Sequence, residues 1–297
     1  MDDHLDVLRR FNRAYTQRIG VLDESFLGTG RPLGPSRLLF EVGAAGRGGA
    51  RVGDLRRRAG LDSGYLSRLL RQLEAEDLVR VVADPDDGRQ RVVRLTAAGR
   101  RAWTSLDRRS DGLAARLLAP LSERQRDELR AALASAERLL RAATVVFEPV
   151  DPGSRDARVA TASYFAELDR RFPTGFDAGT ASAQDRRALR PPDGTFVVVR
   201  DDVALVGCGG VQRIDEHTGE IKRMWIHPDW RGLGLGRRLL AHLEGTAQEL
   251  GRTRVLLDTN GTLTEAIGMY RSAGYQPIER YNDNPYAQHW FAKDLRG

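Results

Sequence analysis

The stretch RGLGLGRR at residues 231–238 decides the fold of the C-terminal half. It follows a β-rich run and leads into a helical pattern with leucine at 239, 240, 243 and 250 on one side. Glycine-rich loops at helix N-termini bind phosphate, because free N–H groups and the positive end of the helix dipole converge there. A pyrophosphate fits this loop. The glycine spacing differs from the dinucleotide fingerprint GxGxxG, and the missing Gly-Lys-Ser/Thr excludes a P-loop.

The segments on either side of this loop predict an α/β unit. A helix is expected over 157–171, where Val159, Phe165 and Leu168 recur on one side. A β-strand is expected from Thr144 to Phe147. Turns at Asp201-Asp202 and near His217 then separate three expected antiparallel strands at 195–200, 203–214 and 220–227. A further strand over 255–260 and a helix over 266–274 complete the pattern.

The loop, Pro228 before it and the segment Tyr270 to Tyr275 resemble the GNAT acetyltransferase superfamily, from about residue 145 to the C-terminus. The resemblance implies an α/β (α+β) acyl-CoA N-acetyltransferase fold that uses acetyl-CoA as co-substrate. It implies that loop amides hold the CoA pyrophosphate and that the strand before the loop pairs with pantetheine. The cofactor-binding residues so implied are Trp225, Ile226, His227, Arg231, Gly232, Leu233, Gly234, Leu235, Gly236, Arg237, Asn260 and Tyr270.

Acetyl transfer to an amine needs a base for the amine and an acid for the departing thiolate. By the resemblance, Tyr270 matches the tyrosine beside the CoA sulfur, and a phenol with a pKa near 10 is a suitable acid. Glu220 is implied as the base, directly or through water. Strand alternation places Glu220, Lys222 and Met224 on one side. A simple charge pair of Glu220 with Lys222 is the alternative, and the other possible bases are His217, His227 and His289.

Aromatic and basic residues predict the acceptor site. The resemblance implies that the segments holding Phe172, Phe176 and Tyr281 line the acceptor cleft, although such aromatics also serve as core. Lys222 and Arg223 would attract a carboxylate, which favours an amino acid or a related small amine.

The N-terminal half carries the whole net charge of +6, with 27 arginines against 21 acidic residues over residues 1–150. Phosphate backbones attract such a surface. A short apolar face over 52–59, a turn at Gly60 and a helix capped by Asp62 or Ser63 predict a helix-turn-helix. Runs at 79–83 and 91–95, joined by DPDDGR at 84–89, predict a β-hairpin wing. The residues offered to DNA by the second helix are Ser63, Tyr65, Ser67, Arg68 and Arg71.

The sequence GYLSRLL at 64–70 with DDGR at 86–89 resembles the MarR family of winged-helix transcriptional regulators, over about residues 4–145. The resemblance implies that Arg89, at the wing tip, enters the DNA minor groove, where a narrow electronegative groove favours a guanidinium. Arg91 and Arg94 are expected either at backbone phosphates or as solvated strand residues. A winged helix that serves only for protein interaction or dimerisation is the alternative.

Helices at the two ends of this region predict a homodimer. Apolar residues at steps of three or four predict a helix over 4–27 that buries one stripe, and a second, short helix is expected over 37–42. Ser122 to Gln125 has the form of a capping box, and Leu129, Leu133, Ala136 and Leu140 follow as an apolar stripe. The family resemblance implies that the first and last helices pair about a two-fold axis on a pseudo-palindromic site. An ordinary core helix is the alternative.

The expected organisation is a mainly α winged helix-turn-helix domain at 1–144 and the acetyltransferase domain at 145–297. One cysteine, Cys208, cannot form an internal disulfide, and the N-terminus lacks a signal-peptide pattern, so a cytoplasmic protein with no membrane partner is expected. No His/Cys cluster has metal spacing, so no metal is expected. The expected partners are an operator in double-stranded DNA and a small-molecule amine. The alternatives are a regulator that senses acetyl-CoA without catalysis and a protein-acetylating enzyme with a docking module.

Overall fold

The computed structural model describes residues 2–85, 87–177, 179, 187–201 and 204–295. The chain divides into two compact units, residues 1–130 and 131–297. Asp86 of the expected wing turn, Asp202 of an expected strand turn and Val203 lie outside the described residues. The functional boundary expected after residue 144 stays a prediction.

The first unit is mainly helical with a small sheet. Its strands form a three-stranded antiparallel sheet in the order β1-β3-β2. The elements are α1 (Asp2–Arg18), a 3₁₀ turn (Phe26–Gly28), α2 (Leu33–Ala44), β1 (Ala50–Arg51), α3 (Val52–Ala59), α4 (Ser63–Ala75), β2 (Val79–Ala83), β3 (Arg91–Leu95), α5 (Ala97–Leu118) and α6 (Glu123–Thr144), which continues into the second unit.

The turn between α3 and α4 forms as expected. Gly60 adopts a left-handed conformation with φ of 62°, which glycine reaches without steric cost. Asp62, rather than Ser63, caps α4, because its carboxylate accepts the Tyr65 N–H at 2.8 Å. One side of α4 is buried, with Leu66 and Leu73 at 2% and 0% exposure, so the opposite side faces solvent.

Helix α1 departs from its expectation. It ends at Arg18 instead of residue 27, and Gly20 follows in a left-handed turn with φ of 68°. The expected stripe is not buried within the chain, since Leu5 and Phe11 remain 51% and 50% exposed. The periodicity correctly predicts an amphipathic helix, but no described part of the chain covers its apolar face. The short helix expected over 37–42 is the longer α2.

The second unit is a seven-stranded sheet in the order β4-β5-β6-β7-β8-β10-β9, and among its described strands only the β7–β8 pair is parallel. Its elements are β4 (Val146–Val150), α7 (Arg155–Arg171), β5 (Gly194–Arg200), β6 (Leu205–Arg213), β7 (Thr218–Ile226), a 3₁₀ turn (Pro228–Trp230), α8 (Leu235–Glu249), β8 (Arg254–Thr259), α9 (Thr264–Ser272), β9 (Gln276–Ile278) and β10 (His289–Asp294). Thr218 and Gly219, expected in a turn, belong to β7.

Strands β7 and β8 are paired at one end only. The described pairing runs over residues 218–220 of β7 and 254–256 of β8, and it stops after Glu220 and Leu256. Beyond that point β8 continues in register with β10 as far as Thr259. The remaining part of β7 therefore has an open edge, and the sheet splays into a cleft at its centre.

A bulge interrupts β7 inside this cleft. Its register with β6 shifts between Cys208 and Gly210, and Arg223 adopts a left-handed φ of 55°, an uncommon conformation for a residue with a side chain. The bulge makes the expected alternation wrong at Met224, because it inserts one residue into β7. Met224 packs with Ile221 on the core cluster that holds α8, so it does not share a side with Glu220.

The last turns of α6 are fixed inside the second unit. Arg141 pairs with the buried carboxylate of Asp201, and its guanidinium lies 4.9 Å from the ring centroid of Trp230. Arg238 donates to the Ala142 carbonyl. Trp230 precedes the glycine loop and Arg238 follows it, so the end of α6 holds both ends of that loop.

None of the described helices is long and apolar enough to cross a membrane.

Candidate functional site

The glycine loop has the shape that an anion requires. Gly232 and Gly234 both have φ of 76°, and a Cβ on either would meet nothing within 4 Å. Helix α8 begins immediately afterwards. Its first backbone hydrogen bond between residues four apart runs from the Arg238 N–H to the Gly234 carbonyl, at 3.1 Å. The amides of residues 235–237 precede that bond and are left without partners in their own helix. They open onto a cavity of about 560 Å³, which we call the loop cavity.

The loop cavity brings together most of the expected cofactor-binding residues. Three of them are not among its described wall residues. Leu233 packs on the hydrophobic core, and the Nδ1 of His227 accepts the Asp229 N–H at 3.3 Å. Asn260 lines the neighbouring cavity described below. The expected residues on the wall of the loop cavity are Trp225, Ile226, Arg231, Gly232, Gly234, Leu235, Gly236, Arg237 and Tyr270.

Arg231 lines the loop cavity and also binds other groups of the protein. Its guanidinium pairs with the buried carboxylate of Glu167, and its Nε donates to the Ile226 carbonyl at 3.0 Å. Glu167 also accepts the Trp225 indole N–H at 2.7 Å. Burial would raise the pKa of Glu167, but the hydrogen bonds from Arg231 and Trp225 hold it below its usual value. Glu167 was missed by sequence reasoning, because its partners are about 60 residues away.

A second cavity of about 350 Å³, the splay cavity, lies beside the first. Both cavities are lined by Tyr164, Leu168, Met224, Leu263, Ala266 and Tyr270. Of the expected acceptor residues, Phe172, Phe176, Lys222 and Arg223 are on its wall. Tyr281 is not among its described wall residues and instead donates its hydroxyl to Glu220 at 2.9 Å.

Tyr270 is the side chain at the junction of the two cavities. Its ring is 7% exposed and packs near Tyr275 and Phe291, with centroids 5.9 and 6.1 Å away. Among the described residues its hydroxyl has no hydrogen-bond partner. Burial, followed by the negative charge of Asp258, raises the pKa of Tyr270, so the phenol stays protonated at neutral pH.

Glu220 is enclosed rather than open to a cavity. It is 2% exposed, and its carboxylate accepts from Gln212 at 2.6 Å and from Tyr281, with the Lys222 ammonium 3.5 Å away. Burial and the Glu220 charge raise the pKa of Tyr281. Asn282 bridges Glu220 to the cleft through one amide nitrogen, 3.3 Å from Glu220 and 2.5 Å from Asp258.

Asp258 is an acidic side chain in the cleft that was not among the site residues expected from the sequence. It lies at the splayed end of β8, half-buried on the wall of the splay cavity. One oxygen accepts from Asn282 and the other accepts from Asn284 at 3.0 Å. The sequence offered a signal, since Asp258 interrupts an apolar strand run, but it did not indicate which way the carboxylate faces.

In the first unit, the expected DNA-contact residues are all exposed, on α4 and at the wing. Along α4, the Arg68 guanidinium lies 5.5 Å from the ring centroid of Tyr65, and the Arg71 Nε donates to Ser67 O at 3.3 Å. At the wing, the Arg89 amide donates to Asp87 at 3.1 Å. The exposed expected residues are Ser63, Tyr65, Ser67, Arg68, Arg71, Arg89 and Arg91.

The described residues include no group of three or more His, Cys, Asp or Glu that could hold a metal ion.

Comparison with known proteins finds matches to two families. Residues 161–275 match the acetyltransferase (GNAT) family model, and residues 29–90 match the MarR family model. The IAA acetyltransferase of Azospirillum brasilense is 34% identical over 131 residues, which cover 42% of this chain and 85% of that protein. The N-alpha-acetyltransferase RimI of Mycobacterium tuberculosis is 31% identical over 134 residues, which cover 44% of this chain and 81% of that protein. A solved GNAT-family acetyltransferase from Staphylococcus aureus has a TM-score of 0.46 at 16% identity, over 52% of this chain and all of that one.

The chain belongs to the GNAT acetyltransferase family and joins that domain to a segment that matches the MarR family model. It is an acetyl-CoA-dependent acetyltransferase.

Proposed function

We propose that this protein binds operator DNA as a homodimer and transfers the acetyl group of acetyl-CoA to a primary amine of a small molecule, an amino acid or a related amine. One observation carries the enzymatic part. The two cavities meet at Tyr270, so a donor in the loop cavity and an acceptor in the splay cavity would face the same hydroxyl.

The loop cavity suits the donor. Its left-handed glycines leave open space, and the amides at the start of α8 supply hydrogen-bond donors and a positive dipole end to a pyrophosphate. The open edge of β7 offers backbone groups to the amides of a pantetheine arm. Arg237, whose guanidinium bonds the Ser272 hydroxyl at 2.7 Å, adds positive charge nearby. Asn260 holds the Tyr286 carbonyl at 2.7 Å, which shapes the acceptor side.

In the proposed reaction Tyr270 is the acid. Acetyl-CoA supplies an acetyl thioester; the neutral amine attacks its carbonyl carbon, and the C–S bond breaks. Tyr270 gives its proton to the departing sulfur, and the proton released by the acylated nitrogen restores the phenol, so the step is balanced. The raised pKa of Tyr270 keeps the proton available at neutral pH.

Glu220 as the base that prepares the amine stays a prediction. Its carboxylate is enclosed by Gln212, Tyr281, Asn282 and Lys222, so a proton would reach it through one of these side chains or through water. Its other contribution is positional, because it holds the Asn282 amide that also bonds Asp258.

The proposal for DNA rests on the exposed face of α4 and on the wing. The N-terminal half of α4 presents hydroxyl, phenol and guanidinium groups, which read base edges and phosphates in a major groove. Arg89 is exposed at the wing, where it can enter a narrow minor groove.

The proposal for a dimer rests on apolar side chains that the single chain leaves in water. On α1 these include Leu8 and Phe11, at 54% and 50% exposure, and on α6 they include Leu133 and Leu140, at 45% and 59%. Covering such helix faces with a second copy would remove this apolar area from water.

The test is the release of free CoA from acetyl-CoA across amino acids, aliphatic amines, aryl amines, aminoglycosides and an unstructured peptide. We expect saturable, acceptor-dependent release with at least one small amine. Release with the peptide alone would contradict a small-molecule acceptor, and acetyl-CoA binding without release in the whole panel would favour a sensor. Binding to operator DNA is tested by the fluorescence anisotropy of a labelled duplex from upstream of the gene. The homodimer is tested by the molar mass of the protein in light scattering.

A further inference from the structure

We propose that the acceptor is an aromatic primary amine, with its ring held by Phe165, Phe172, Phe176 and Tyr286 and its ammonium held by Asp258. This inference deepens the proposed function and rests on it for the chemistry.

Four rings form one side of the splay cavity. Phe176 is the central ring, with centroids 5.3 Å from Phe165, 5.8 Å from Phe172 and 4.8 Å from Tyr286. The planes are inclined by 36°, 78° and 48°, so faces and edges are both presented to the space they enclose. Aromatic ligands gain from such offset and edge-to-face contacts beyond the area they bury.

Phe172 is buried at 6% exposure, but the four rings lie outside the main core clusters. Among the described residues, none of the four belongs to the two hydrophobic clusters that hold the second unit together. Phe165 and Phe176 are only partly buried, and about 350 Å³ remains open beside them. That volume is at the lower end of small-molecule sites, which start near about 300 Å³, and so it suits a compact ligand.

The charges on the same wall distinguish Asp258 from its neighbours. Lys222 is paired with Glu220, and Arg223 is placed with its guanidinium 5.5 Å from the Phe165 ring centroid. Among the described residues, Asp258 has no ion pair, and its hydrogen bonds come from two neutral amides. A half-buried carboxylate that accepts one hydrogen bond at each oxygen, from Asn282 and Asn284, keeps spare lone pairs. An ammonium group supplies the missing partner.

The rings and the carboxylate lie on the wall that Tyr270 also lines. A ligand with its ring among the phenylalanines and its nitrogen at Asp258 therefore occupies the cavity that shares Tyr270 with the loop cavity proposed for the acetyl donor. Aliphatic diamines and sugars would leave the ring surface in contact with polar groups or water, which costs binding free energy.

Binding is measured by calorimetry with the full-length protein saturated with CoA, so that no acetyl transfer occurs. The probes are 2-phenylethylamine, n-butylamine and 2-phenylethanol, which separate the ring from the charge. We expect 2-phenylethylamine to bind about tenfold tighter than n-butylamine, a difference of about 1.4 kcal/mol that the ring contacts supply. Equal affinity for the two amines would overturn the assignment of the rings.

Two variants with a matched control assign the parts. Asp258→Asn should weaken 2-phenylethylamine about thirtyfold while 2-phenylethanol is unchanged. Phe176→Leu should weaken both aromatic probes about tenfold. Phe147→Leu is the control, because Phe147 stacks on His242, 5.1 Å away, outside the splay cavity, and should leave all three affinities unchanged. Thermal unfolding checks that each variant is folded, and an amine affinity that Asp258→Asn leaves intact would refute the role of the carboxylate.

CoA release from acetyl-CoA then separates this inference from the proposed function. Aromatic amines that bind as expected but release no CoA would leave the binding site standing and remove the enzymatic proposal. CoA release with aliphatic amines alone would support the enzymatic proposal and overturn the aromatic amine as acceptor.

Discussion

Replacing Tyr270 with phenylalanine removes one oxygen and almost nothing else. The ring keeps its packing near Tyr275 and Phe291, and the hydroxyl has no partner among the described residues. We therefore expect the free energy of unfolding to change by no more than about 0.5 kcal/mol. The loss of a positioned acid costs about 100-fold in kcat, or about 2.7 kcal/mol in the activation barrier.

The assay is steady-state CoA release with the best acceptor of the panel, together with urea unfolding. KM for acetyl-CoA should stay within about twofold, because the hydroxyl that is removed acts on the departing sulfur rather than on the bound thioester. Tyr275→Phe is the matched control, a neighbouring buried tyrosine outside both cavities, and its kcat should be normal. A kcat of Tyr270→Phe within twofold of the wild type would refute the acid assignment.

The pH dependence gives an independent check on Tyr270. Burial and the charge of Asp258 raise its pKa, so the protonated, active form persists above the usual phenol pKa near 10. The rate should therefore show no decline between pH 7 and 9 from this group. A fall in kcat over that interval that vanishes in Tyr270→Phe would contradict the direction of the shift.

Four further changes test other parts of the molecule. Arg89→Ala should weaken DNA binding about tenfold at fixed salt, and unchanged anisotropy would remove the wing assignment. Gly234→Ala should raise KM for acetyl-CoA about tenfold or more, since its Cβ adds left-handed strain of about 1–2 kcal/mol; Gly251→Ala, equally left-handed and open, should not. Glu167→Gln should lower the free energy of unfolding by about 2 kcal/mol, measured in urea, and no change would dismiss its role as an anchor. Burial raises the pKa of the Cys208 thiol to about 12, so a thiol reagent at pH 8 should modify it only after unfolding.

The sequence predicted those parts of the fold whose signals are local. Periodicity and capping placed α4 and α7 within two residues of their observed N-termini, and the capping box at Ser122 forms, with reciprocal bonds of 3.0 and 3.3 Å to Gln125. The glycine loop was identifiable because left-handed backbone and free amides both require a particular residue type at particular positions. The α1 stripe was located correctly, but periodicity alone does not say what covers it.

The site was less predictable wherever distant segments meet. The side predicted for Met224 by strand alternation was wrong, because a bulge inserts one residue into β7. No residue type at that place in the sequence indicates the bulge. Asp258 depends on Asn282 and Asn284, which lie 24 and 26 residues further on, so its orientation is a property of the folded sheet. The enclosed state of Glu220 has the same origin, since its partners come from two other segments.

The anchoring of α6 limits where the chain can be cut. A fragment that starts at residue 145 would lose Arg141 and leave the Asp201 carboxylate buried, with no guanidinium opposite it. It would also remove the Ala142 carbonyl that Arg238 holds and the cation that covers Trp230, the two supports at the ends of the glycine loop. A fragment that starts at residue 131 keeps all of them. Limited proteolysis should accordingly leave the last turns of this helix attached to the acetyltransferase part.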